Sequence, residues 1–129
     1  MPVSILSIDH ATVLGNPGKD SAQILWPRNA PDAQITITRV TMAPGSVSER
    51  HVHRTSEQTW MVEQGSATLL LDDGKTCPIQ VGDVVRTPPG VTHGVTNTGA
   101  DVLVYLSITT PPEDFSSFYT STTPSAPAG

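Results

Sequence analysis

Turn residues come so often along this chain that only short β-strands fit between them. Ten glycines and twelve prolines are spread over 129 residues, and they separate segments rich in Val, Ile, Thr and Leu. Segments of this kind, bounded by turn residues, favour β-strands over helices. The predicted strands cover residues 4–9, 22–26, 34–42, 57–64, 66–71, 76–80, 84–87, 94–97 and 102–109.

This pattern indicates an all-β protein. Asp73 and Gly74 stand between two strand segments, and an Asp-Gly pair is typical of a tight antiparallel hairpin because glycine tolerates positive φ. Many short strands need an arrangement that leaves few exposed edges, and a closed barrel or jelly roll does this best. We therefore expect an antiparallel barrel or sandwich.

The length of the chain fits one domain with a single core. We expect that domain to cover residues 1–119, including an N-terminal strand and a C-terminal arm. The arm carries Phe115, Phe118 and Tyr119, so it is predicted to pack on the barrel or on a partner. Residues 120–129 have no large apolar side chain, which predicts a disordered tail.

Charge and hydropathy narrow the class of partner. The net charge is −5 and the basic residues are scattered, which argues against binding to nucleic acid. No apolar run approaches the ~18 residues of a membrane span, and the N-terminus lacks the pattern of a signal peptide. The single Cys77 cannot form an internal disulfide, which fits a reducing compartment. These features predict a soluble, cytoplasmic protein.

Three of the four histidines are arranged as metal ligands would be. His51 and His53 are one residue apart, so on a strand both imidazoles point to the same face. His93 follows the rigid turn 88–90 and could reach the same ion from a neighbouring strand. Three imidazoles in an apolar interior suit Fe, Mn, Co, Ni, Cu or Zn rather than Mg or Ca. The alternative is that these are ordinary surface or half-buried histidines.

Two motifs in the sequence resemble those of the cupins. The first family motif, G-x5-H-x-H-x(3,4)-E-x6-G, is matched by Gly45, His51, His53 and Gly65, with Gln58 where the family usually has Glu. The second, G-x5-P-x-G-x2-H-x3-N, is matched at every position by Gly82, Pro88, Gly90, His93 and Asn97. The resemblance is to small single-domain cupins of the type-2, quercetin dioxygenase-like kind. It implies a double-stranded β-helix, or jelly-roll barrel, that holds one divalent transition metal ion at its mouth.

The fourth ligand depends on the spacing within the first motif. A spacing of four selects the amide oxygen of Gln58, whereas a spacing of three selects the carboxylate of Glu57, and the two side chains point opposite ways on a strand. Gly65 favours Gln58, because six residues separate the two positions. With three neutral imidazoles and a neutral amide, a divalent ion would keep its full charge and favour anionic or enolisable oxygen ligands.

Residues that would contact a substrate follow from strand alternation. Trp60 shares the face of Gln58 and is the first candidate, and Tyr105 on the last long strand is a second. Arg39 could pair with a substrate carboxylate, as could Arg86, although arginines on strands are more often solvated or salt-bridged. Ordinary core aromatics are the alternative for Trp60 and Tyr105.

Three functions are consistent with these residues. The first is a metal-dependent enzyme that isomerises, decarboxylates or eliminates a small oxygen-rich acid, diketone or sugar acid through its enolate. The second is a metal-dependent dioxygenase of a diketone or polyphenol. The third is a non-catalytic binding or sensor module. In each case the partner is a small molecule, and a homodimer is expected because two-fold pairing is the commonest closure.

Overall fold

A computed structural model describes residues 2–124, and this part of the chain is built from β-strands joined by turns and short 3-10 helices. The strands are β1 Thr12–Asn16, β2 Lys19–Leu25, β3 Thr36–Met42, β4 Val47–His51, β5 Glu57–Gln64, β6 Ser66–Leu70, β7 Thr76–Gln80, β8 Val84–Thr87, β9 His93–Thr96, β10 Leu103–Thr110 and β11 Ser121–Thr123. The 3-10 helices are Ile8–His10, Asp72–Gly74 and Phe115–Phe118. Within residues 2–124, no helix is long and apolar enough to cross a membrane.

The strands form two antiparallel sheets. The larger has seven strands in the order β11-β1-β2-β3-β10-β5-β8, and the smaller has four in the order β4-β9-β6-β7. The chain passes from β5 in the larger sheet to β6 and β7 in the smaller, and returns to the larger sheet at β8. The prediction of an all-β jelly-roll barrel is confirmed.

Most of the predicted strands are present. One predicted strand is absent, and three short strands were not predicted. Segments 57–64, 76–80 and 84–87 match β5, β7 and β8 residue for residue. The prediction of a strand at residues 4–9 is wrong. Val3 and Ile5 are more than nine-tenths exposed, and a 3-10 helix begins at Ile8. Strands β1, β4 and β11 were not predicted. They are held by backbone pairing with β2, β9 and β1, and pairing of this kind leaves little trace in a sequence of only three to five residues.

The C-terminal arm packs on the barrel, and the segment after it begins with a strand. Phe115 is buried in a cluster with Leu14 and Trp26, against which Tyr119 packs. Ser121–Thr123 pair with β1, which differs from the disordered tail predicted from residue 120. The edge of β1 offers unpaired backbone groups, so a polar segment can extend the sheet without apolar side chains. The rest of the predicted tail, 125–129, lies outside the described residues.

The barrel interior changes from apolar to polar along the same strands. The inward residues of β10 and their partners on β3 are Leu103 with Met42, Tyr105 with Val40, Ser107 with Thr38, and Thr109 with Thr36. We call the buried set Met42, Val62, Leu69, Val95 and Leu103 the apolar half of the interior. The buried set Thr36, Thr38, Gln58, Ser107 and Thr109 is the polar half. The candidate site lies at the polar half.

Candidate metal centre

Two of the three histidines are brought together by strand pairing. His51 ends β4, His93 begins β9, and the two are partners in the register of that antiparallel pair. His53 lies just beyond β4 in the connection to β5, so the predicted strand alternation of His51 and His53 does not hold. The turn after β4 brings the third imidazole in instead. One potential ligand atom from each of the three rings lies within 4.8 Å of the others.

A glycine next to His93 permits this approach. A Cβ atom on Gly94 would lie 2.7 Å from the backbone oxygen of Ser48 and 2.9 Å from the backbone nitrogen of Arg50. Real Cβ atoms do not approach backbone atoms so closely, so β9 can lie against the irregular part of β4 only if residue 94 has no side chain. The pairing of His51 with His93 therefore depends on a glycine that the second motif leaves unspecified.

The Nδ1 atom of each imidazole already faces an oxygen. His51 Nδ1 lies 2.7 Å from the Glu49 backbone oxygen, and His93 Nδ1 lies 3.4 Å from the Val91 backbone oxygen. His53 Nδ1 lies 3.1 Å from the Glu113 carboxylate. A proton on Nδ1 satisfies each of these contacts and leaves the Nε2 lone pair free, which is the tautomer that a metal-binding histidine needs.

The buried Nε2 atom of His53 marks a position that an ion would fill. His53 Nε2 is buried and has no hydrogen-bond partner among the described residues, which is costly unless a ligand occupies its lone pair. Burial lowers the pKa of His93 to about 4 and also lowers that of His51. Both rings are therefore neutral at pH 7, as metal binding requires. The residues present fit a divalent transition metal.

Gln58 points its amide oxygen at the same place. Its Oε1 atom lies 3.1 Å from His93 Nε2 and accepts a hydrogen bond from Trp60 Nε1 at 3.3 Å. The amide nitrogen donates to Thr109 Oγ1 at 3.1 Å. These partners fix which end of the amide faces the histidines.

Glu57 and Arg39 lie on the outer face of the large sheet. The Glu57 carboxylate pairs with Arg86 at 2.6 Å, and Arg39 pairs with Glu63 at 2.9 Å. Glu57 is thus turned away from the histidine group. Arg39 was a candidate for substrate binding, but it does not line the cavity beside the histidines. Strand alternation explains the correction, because Thr38 and Val40 take the inward positions on β3.

A cavity of about 310 Å³ opens beside the histidines. Trp60 and Tyr105, the two aromatic residues expected to contact a substrate, line this cavity, with their rings stacked at 4.3 Å between centroids. Burial raises the pKa of Tyr105 well above its usual value, so this phenol stays neutral. The lining also includes the exposed ring of Phe118, whose centroid is 6.4 Å from that of His51.

Sequence reasoning missed two polar residues of the site. Glu113 holds the His53 ring from the C-terminal arm, and Lys19 lines the cavity from the first position of β2. Neither belongs to a motif. The scarcity of lysine was the one available signal, because the chain contains only Lys19 and Lys75.

Comparison with known proteins agrees with this architecture. The family model described as "Cupin domain" matches residues 38–109. A predicted oxalate decarboxylase from Thermotoga maritima superposes with a TM-score of 0.72 at 23% identity, covering 84% of this chain and 99% of that one. At this identity the likeness concerns the fold alone.

Two curated relatives match in sequence over part of their length. An oxalate-binding protein from Thermotoga maritima is 33% identical over 72 residues, covering 56% of this chain and 59% of the relative. A gentisate 1,2-dioxygenase from Ralstonia is 28% identical over 96 residues, covering 74% of this chain and 25% of the relative. This chain therefore spans less than two thirds of either relative.

Proposed function

This chain belongs to the cupin domain family, and from that premise we propose that it is a metal-dependent enzyme acting on a small oxygen-rich acid, diketone or sugar acid. The reaction class is isomerisation, decarboxylation or elimination through an enolate. We propose His51, His53, His93 and Gln58 as the ligands of one divalent transition metal ion. Trp60 and Tyr105 would form the wall against which the substrate packs.

The observation that carries the proposal is the charge of the ligand set. Three imidazoles and one amide face a common point, and among residues 2–124 no carboxylate belongs to the group. When bound, the ion would supply a Lewis acid that stabilises negative charge on a substrate oxygen. Because the proposed ligands are all neutral, the Glu113 carboxylate behind the His53 ring would offset only part of that positive charge, and the remaining charge favours an anionic substrate.

The surrounding residues set the size and orientation of the substrate. The cavity of about 310 Å³ suits a small organic molecule. Trp60 Nε1 and Thr109 hold the Gln58 amide, and Glu113 holds the His53 ring. These contacts position the donor atoms before the substrate arrives, so little reorganisation is needed. The oxalate-binding relative supports a small acid as the ligand class.

Metal analysis combined with a substrate panel tests the proposal. We expect close to one divalent transition metal ion per purified chain, and turnover of at least one member of a panel of oxalate, diketones and sugar acids without consumption of O₂. A protein that binds no metal under native purification contradicts it. A metal-loaded protein that binds panel members without turnover supports the sensor function instead.

A dioxygenase is the second candidate, favoured by the similarity to gentisate 1,2-dioxygenase. The same neutral donors suit Fe(II) or another redox-active ion. An oxygen electrode separates the two candidates, because only the dioxygenase consumes O₂ in step with loss of a diketone or polyphenol.

We also propose that the chain forms a homodimer. Val3 and Ile5 near the N-terminus are more than nine-tenths exposed, and Leu6 is also exposed, which provides apolar surface for a second copy. Light scattering at working concentration should give twice the chain mass. A monomer there rules the proposal out.

A further inference from the structure

Lys19 is a cation on the wall of the cavity without a carboxylate partner among the described residues. It is half-buried, and its ammonium donates a hydrogen bond to Ser48 Oγ at 3.0 Å. The same nitrogen lies 5.3 Å from the centroid of the Tyr119 ring. The ion pairs found in residues 2–124 involve Arg28, Arg39, Arg86 and His53, but not Lys19.

A cation in such a position is costly unless an anion reaches it. Removing an ammonium group from water is unfavourable, and proteins normally offset this cost with a paired charge. Here burial lowers the pKa of Lys19 to about 8, so the group is still largely charged at pH 7. The Ser48 hydroxyl and the Tyr119 ring satisfy the Lys19 ammonium only in part. The ammonium can therefore donate a further hydrogen bond to a ligand in the cavity.

Lys19 and the histidines border the same space. Lys19, His51 and His53 all line the cavity, and so does Ser48, which lies on β4 three residues before His51. One small ligand can therefore contact both.

We propose that Lys19 and Ser48 form a carboxylate-binding subsite of the cavity. The ligand is a small acid that places one carboxylate on the Lys19 ammonium and the Ser48 hydroxyl, and a second oxygen toward the histidines. The contact of the second oxygen with the histidine site rests on the proposed function, whereas the contact of the carboxylate with Lys19 and Ser48 does not. It narrows the substrate class from diketones and acids in general to acids with a carboxylate at one end and another oxygen donor at the other.

Binding of malonate and of its monoamide, malonamate, tests the subsite. On metal-loaded protein, Lys19→Met should weaken malonate binding about tenfold or more, because a charge-assisted contact in a half-buried site is lost. The variant should also lose most of the preference for malonate over malonamate, while Lys19→Arg should retain part of it. The matched control is Lys75→Met, which removes the same charge from the exposed hairpin and should leave both affinities unchanged. Equal malonate binding by Lys19→Met and the unaltered protein overturns the inference.

A labelling experiment gives an answer that does not depend on a folded variant or on the metal. Malonate should slow acetylation of Lys19 by acetic anhydride, measured by mass spectrometry, while Lys75 in the same molecules reacts at an unchanged rate. The experiment is run with and without a chelator. Protection of Lys19 in a protein that never binds metal supports the subsite and contradicts the proposed function. Metal binding without any protection of Lys19 contradicts the subsite and leaves the proposed function standing.

Discussion

The two halves of the barrel interior are built on the same strands with opposite chemistry. Along β10, inward positions pass from Leu103 and Tyr105 to Ser107 and Thr109, and the facing positions of β3 change in step. In the apolar half, Met42, Val95 and Leu103 are fully buried. In the polar half, Thr38, Gln58 and Ser107 line the cavity beside the histidine group.

This difference separates the part that stabilises the fold from the part that would bind a ligand. Burial of aliphatic side chains is the main favourable term in folding, and the apolar half supplies it. The polar half buries hydroxyls and an amide, which contribute less, and the adjoining His53 Nε2 has no hydrogen-bond partner among the described residues. Such an arrangement is expected at a functional site, where local stability is lower than it could be.

The largest expected effect is on metal content in the polar half. His51→Ala, His53→Ala and His93→Ala should each reduce bound metal from about one ion per chain to nearly none, because each removes one of three imidazole donors. The barrel should stay folded, since its apolar half does not depend on an ion as a zinc finger does. Elemental analysis and circular dichroism of each variant measure the two quantities.

The fourth histidine provides the control for this prediction. His10 lies in the 3-10 helix Ile8–His10 and is not part of the histidine group. His10→Ala should therefore keep the metal content of the unaltered protein. Unchanged metal content in two of the three site variants contradicts the assignment.

The next effect is on stability, and it should be strongly unequal between the halves. Leu103→Ala should lower the free energy of unfolding by about 2–5 kcal/mol, because it opens a cavity in a fully packed region. Ser107→Ala, two positions along the same strand face, should cost less than about 1 kcal/mol, because it removes only a hydroxyl that borders an existing cavity. Urea denaturation compares the two. Similar losses of unfolding free energy in the two variants would show that the apolar half does not contribute more to stability than the polar half.

The smallest effect distinguishes two neighbouring residues on opposite faces of β5. Gln58→Glu adds a negative charge beside the histidines and should weaken binding of an anionic ligand about tenfold while metal is retained. Glu57→Gln removes a carboxylate that pairs with Arg86 outside the barrel, so it should change metal affinity little. Titration of both variants with metal and with malonate makes the comparison. Metal loss in Glu57→Gln but not in Gln58→Ala shows that the ligand is Glu57.

The sequence pattern predicted the β6–β7 hairpin and the inward face of β5, because both depend on residues that are close together in the chain. The β6–β7 hairpin at Asp73 and Gly74 was expected, and both residues have positive φ. The inward face of β5 was also predicted, since Gln58 and Trp60 are both buried. Strands β4 and β11 were not predicted because their partner strands, β9 and β1, lie far away in the sequence, whereas β1 is a short strand that pairs with the adjacent β2.

The sequence by itself determined the all-β barrel, the family and the histidines that converge on one point. Spacing and turn residues encode these features directly. Only the tertiary structure placed Lys19, Ser48 and Glu113 around that point, and only it turned Arg39 away toward Glu63. Long-range pairing sets these neighbours: Glu113 contacts His53, and Lys19 shares a cavity with His51 and His53, across sequence separations that no local pattern records.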